Sequence, residues 1–63
     1  MDIQKICDEI QTKLGYLSLM PIKETLTLEE MGQISREMLN RGFHVYFETQ
    51  FDEKGKMTLA VGG

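Results

Sequence analysis

The residues of this chain that could do chemistry are few and lie apart. Cys7 is its single cysteine and His44 its single histidine. A nucleophilic thiol needs a lowered pKa and an adjacent base. Cys7 falls instead on an apolar helical stripe, where a free cysteine behaves as a small buried hydrophobe. His44 could serve as its base only through a tertiary contact that the sequence does not announce. A zinc site usually takes four Cys or His ligands, or three with a carboxylate, at short spacings. One of each, in different elements, does not make that pattern. The acidic pairs Asp8-Glu9, Glu29-Glu30 and Asp52-Glu53 are each adjacent in sequence. Adjacent helical positions point about 100° apart, so the first two pairs do not converge on a substrate. Glu29 and Glu30 suit the positive end of a helix dipole, and Asp52 and Glu53 suit a turn. There is no phosphate-binding loop, dinucleotide fingerprint or nucleophile elbow. The sequence therefore reads as a non-enzyme, with no catalytic residue, cofactor or metal.

Binding is the better reading. His44, Tyr46, Glu48 and Gln50 alternate with apolar residues and project from the polar face of one strand; Thr58 joins them from a second. His44 and Glu48 stand roughly 13 Å apart at ~3.3 Å per residue, too far for an acid–base pair. An ordinary solvated sheet face is the plain account of these five. The functional account is a protein interface, because Tyr46 and His44 make an amphipathic spot of the kind interfaces use. A second reading is a homo-oligomer that sequesters an anionic small molecule through Lys23, Arg36 and Arg41. So short a monomer has little room for the usual pocket of ~300–1,000 Å³, so that site would be shared between chains.

Length and charge narrow the partners. The 63 residues make one domain of net charge −3. The acid is spread evenly, which leaves no basic stripe for nucleic acid and no polybasic patch for an anionic membrane. No apolar run approaches the ~18 residues of a spanning helix. The first residues lack the charged start and apolar middle of a signal peptide, so the cytoplasm is the expected compartment. A core of this size rarely supplies more than ~3–5 kcal/mol. With neither disulfide nor metal on offer, a partner chain is the expected source of further stability, most simply a second copy in a homodimer.

The elements that would position these residues are legible. Ile3, Ile6, Cys7, Ile10 and Leu14 form one face of a helix over residues 2–14, capped by Asp2 and stopped by Gly15. Residues 16–20 are short, apolar and bounded by Gly15 and Pro21; strand and extended connector both fit. As a strand, the segment could pair with one hairpin arm, and residues 21–42 could cross over to a parallel neighbour. Thr27-Leu28-Glu29-Glu30 is a capping box for a second helix over 28–41, with Leu28, Met31, Ile34, Met38 and Leu39 inward and Gly42 closing it. Gly32, inside that helix, suggests close approach of another backbone. Residues 43–63 form a hairpin about Asp52-Glu53-Lys54-Gly55, with Phe43, Val45, Phe47, Phe51, Met57, Leu59 and Val61 on one face. Its second arm, from Lys56 to Val61, would offer an open edge. Gly62-Gly63 resembles the two-glycine tail of ubiquitin-like proteins, but those folds open on a hairpin and this chain on a helix. An end fraying past the strand is the simpler expectation.

The expected fold is α+β: two amphipathic helices on a C-terminal hairpin, with a third strand if 16–20 pairs. The expected function is that of a small non-catalytic binding module, an adaptor or inhibitor of a larger protein. The size and lack of catalytic apparatus suit a prokaryotic or phage accessory protein.

Overall fold

The computed structural model describes residues 2–63. Helix α1 runs Ile3–Lys13, and the Asp2 carboxylate accepts the Lys5 backbone N–H at 3.2 Å. Ile6, Cys7 and Ile10 are buried. Gly15 does not take the left-handed cap expected of it; among the described residues only Gly42 and Gly55 have positive φ. The chain instead stays right-handed for part of a turn, with the Leu17 N–H donating to the Lys13 carbonyl at 2.8 Å.

Strand β1 is Leu19–Ile22. The short apolar segment is thus a strand, but it starts later than residue 16 and runs through Pro21. Helix α2, Leu28–Asn40, has the full capping box: the Glu30 N–H donates to Thr27 Oγ1 at 3.1 Å, and the Thr27 N–H to Glu30 Oε1 at 2.9 Å. It ends in a Schellman motif. The Phe43 N–H reaches back to the Met38 carbonyl and the Gly42 N–H to that of Leu39, with Gly42 at φ +90°. The buried stripe of α2 is narrower than its sequence suggests. Ile34 and Met38 are buried and Met31 half-buried, whereas Leu28 is 84% exposed and Leu39 54%. At 100° per residue those two leucines lie roughly a quarter-turn or more from the centre of the stripe.

Strands β2, Tyr46–Phe51, and β3, Met57–Gly62, make the hairpin in the expected register: Phe51 opposite Met57, Thr49 opposite Leu59, Phe47 opposite Val61. Asp52 organises the turn. Its carboxylate accepts the Lys54 and Lys56 N–H groups at 2.9 and 2.8 Å, its own N–H donates to the Lys56 carbonyl, and Gly55 has φ +79°.

The sheet order is β1-β3-β2, antiparallel throughout. This corrects two expectations. The second hairpin arm is not an open edge but the central strand, and β1 pairs with it antiparallel instead of joining a parallel neighbour. The chain crosses over through α2 and leaves a slot between β1 and β2 that β3 fills. Leu59-Ala60-Val61 suits that slot, for it carries no charge, and Ala60 and Val61, on opposite faces, are both fully buried. The Asp52–Lys56 bond fixes the ladder phase. Alternation then makes Glu48 and Ala60 a hydrogen-bonded pair, so the Ala60 amide faces β2 and the Pro21 nitrogen faces the outer edge. A proline is tolerated there because no ladder bond is lost. Gly62 lies within β3 and is buried, so the chain end does not fray at that residue.

Both helices cover one face of the sheet. Ile6, Cys7, Ile10, Ile34 and Met38 pack with Met20, Ile22, Leu26 and Val61, and with half-buried Leu59 and Phe47. Gly32 stands apart from all this. A Cβ there would meet nothing within 4 Å, so no backbone approaches it. Gly32→Ala should therefore raise stability by about 0.5–1 kcal/mol, the helix-propensity difference. A urea midpoint that moves upward at constant slope would show it; an unchanged or lower midpoint would contradict it.

Candidate binding surface

The register brings Tyr46, Glu48, Gln50 and Thr58 together on the sheet face away from the helices. His44 does not share the strand; it lies exposed in the connector 43–45. Tyr46 is partly committed to structure, since its ring lies over Gly62, where an added Cβ would clash with the ring. Thr58 Oγ1 donates to the Gln50 carbonyl at 3.4 Å. Beside these polar groups stand Leu19 and Pro21, which share the face because they sit opposite Gly62 and Ala60. The sequence offered no sign of that apolar margin, because it depends on β1 docking against β3.

The three cations of the ligand reading are differently disposed. Arg41 closes the α1–α2 contact. Its Nε donates to Glu37 at 2.8 Å, Nη1 to Asp8 at 2.8 Å and Gln11 at 3.2 Å, and Nη2 to Gln4 at 2.8 Å. The Glu37–Arg41 pairing is the one its i,i+4 spacing predicts. Lys23 borders a surface groove, and Arg36 is exposed on α2. The hydrogen bond from Arg41, aided by Gln4, holds the Glu37 carboxyl below its ordinary value. A carboxylate whose folded pKa is depressed contributes stability above its unfolded value, near ~4.3, and loses it as pH falls through the folded value. Acid should therefore destabilise the wild type more steeply than Glu37→Gln. Denaturant midpoints between about pH 5 and pH 2 test this; parallel profiles would contradict it.

Cys7 is fully buried, with Sγ 3.9 Å from the Ile34 carbonyl oxygen, and burial pushes its thiol pKa up. Such a thiol is held in its unreactive form. Among the described residues, no group of three or more His, Cys, Asp and Glu side chains could hold a metal ion.

The most distinctive surface lies at the free end of the hairpin. Phe51 and Met57 point to the helix side of the sheet, as their alternation predicts, but the helices do not reach them. They are 70% and 64% exposed, which corrects their expected place in the core. Next to them runs a groove of about 600 Å³, bounded by Lys23, Thr25 and Leu26 of the β1–α2 connector, by Met31, and by Met57 and Leu59 of β3. Phe51 and Met57 are the exposed apolar residues that sequence reasoning missed. Alternation shows which face a residue takes but not how far the covering layer extends.

These features define a small α+β protein, two helices over a three-stranded antiparallel sheet, with an uncovered apolar hairpin end. No protein family, curated protein or solved structure matches the chain. No helix of the described residues is long and apolar enough to cross a membrane.

Proposed function

We propose that this protein is a non-catalytic module that binds another polypeptide, as an adaptor or inhibitor. The observation that carries the reading is the exposed pair Phe51 and Met57 beside the open groove. Single exposed apolar residues are common on protein surfaces; a contiguous patch beside a concavity is the usual mark of an interaction site. Polar Tyr46, Glu48, Gln50 and Thr58 on the opposite face of the hairpin, with His44 just before it, offer a separate surface suited to hydrogen bonding. An anionic-ligand role has less support, because each nitrogen of Arg41 already donates within the chain, leaving Lys23 and Arg36. The proposed setting is the cytoplasm, and the proposed type an accessory protein of a prokaryote or phage.

The test is affinity enrichment from the native host with wild type and with Met57→Asp. That change lies on an exposed residue and leaves the core intact. A protein enriched by the wild type and lost with the variant is the expected result. Equal enrichment by both, or none by either, would overturn the reading. Saturable thermal stabilisation by one nucleotide or metabolite would favour the ligand alternative.

A further inference from the structure

The sheet has two edges, and they differ. On β1 the edge is four residues long, and Pro21 turns a nitrogen without a donor toward it. Such an edge is a poor template for another strand. On β2 the edge is six residues long and contains no proline, lysine or arginine. The ladder phase set by the Asp52–Lys56 bond directs the amide and carbonyl groups of Phe47, Thr49 and Phe51 outward, away from β3. Their side chains lie on the helix face; Thr49 and Phe51 are exposed.

We propose that the partner for this edge is a second copy of the same chain, paired β2 to β2 about a two-fold axis through Thr49. The inference rests on the polypeptide-binding reading and names one such polypeptide.

The register follows from elimination. Outward amides must meet outward carbonyls, so the axis must pass through a residue, not between two. It is then perpendicular to the sheet, and the helices of both copies lie on the same side. An axis at Glu48 would set two glutamates directly opposite each other, and an axis at Gln50 would set Glu48 opposite Asp52. Like charges directly opposite are destabilising. An axis at Phe47 would draw in Phe43, which the Schellman motif holds at the end of α2. An axis at Phe51 would run the pairing into the turn. The axis at Thr49 pairs Phe47 with the second copy's Phe51, Glu48 with its Gln50, and Thr49 with its Thr49. Aromatic–aromatic and Thr–Thr pairs are among the favourable cross-strand contacts. Glu48 can accept from the Gln50 amide. The otherwise uncovered Phe51 gains an aromatic neighbour in each half of the seam. The product is a continuous sheet of six strands, three from each copy.

Sedimentation equilibrium on the full chain at micromolar concentration should give a mass near twice 7.3 kDa. Thr49→Lys places two lysines opposite each other at the axis, on an exposed residue. It should weaken the dimer at least tenfold with an unchanged circular dichroism spectrum. Gln50→Lys places a lysine opposite Glu48 and should keep or tighten the dimer. Thr49→Cys gives an independent check on register. Directly opposed hydrogen-bonded residues stand about 5.5 Å apart at Cα, within disulfide reach, so mild oxidation should cross-link the two copies. A wild type that stays at 7.3 kDa throughout overturns the pairing. So does a dimer that Thr49→Lys leaves untouched and Thr49→Cys fails to cross-link. Neither outcome touches the binding-module reading, which the enrichment with Met57→Asp, on an exposed residue of β3 outside the seam, decides separately.

Discussion

Ile34→Ala is expected to leave the protein largely unfolded at room temperature. Ile34 has no exposed surface and sits where α2 meets α1, its carbonyl next to the Cys7 sulfur. Truncating a fully buried isoleucine removes its transfer free energy and leaves a cavity, together about 2–5 kcal/mol. A core of this size supplies only ~3–5 kcal/mol in all, so the loss approaches the whole stability. Circular dichroism should show the helical signal lost or its thermal midpoint far below that of wild type. A variant within ~1 kcal/mol of wild type would mean the site collapses around the smaller side chain, contrary to the packing described. Leu28→Ala, on an 84% exposed residue of the same helix, should by comparison change little.

Ala60→Pro is expected to be as damaging, for a backbone reason. Ala60 lies in the central strand, its amide directed at Glu48 of β2, and Pro21 sits directly opposite it on β1. The same residue type should thus have opposite effects at facing positions. At Pro21 the nitrogen points away from the sheet and costs no ladder bond. At residue 60 a proline would remove a donor, strand a carbonyl and force its ring into a fully buried place. The expected loss is about 3 kcal/mol or more, read as loss of the cooperative denaturant transition. A folded Ala60→Pro variant would mean that the Ala60 amide does not face β2, and would overturn the ladder phase set by the Asp52–Lys56 bond. The same ladder phase bears on Thr58: its amide faces Gln50 of β2, so Thr58→Pro should also be costly.

Those contrasts mark what could be read from the sequence. Thr27 and Glu30, Gly42, and the Asp52–Gly55 turn are local devices. Their geometry is set by residues within five positions, and each formed as its residue types dictate. The hairpin register followed from the turn for the same reason. Strand order is set by distant segments. Pro21 read as a boundary because a proline usually ends a pairing strand, and only its outward-facing nitrogen in β1 reconciles the two. Leu59-Ala60-Val61 read as alternating because the hairpin was considered alone; flanked on both sides, it is buried on both faces. The candidate surface was half legible. Tyr46, Glu48, Gln50 and Thr58 do share a face. Phe51 and Met57 read as core because periodicity assigns a side, while coverage depends on where α1 and α2 end above the sheet. Arg41 read as available to a ligand because its partners on α1 — Gln4, Asp8 and Gln11 — come near only in the folded chain.

Site-specific photo-crosslinking tests the central claim, recognition of a polypeptide through the free end of the hairpin, most directly. A benzophenone amino acid replaces Phe51 in one form of the protein and Glu29 in another; both positions are exposed, and Glu29 lies outside the residues that line the groove. Irradiation in the native host should give adducts of defined mass from position 51 and none from position 29. Matching adducts from both positions, or none from position 51 with the protein folded and expressed, would contradict the account.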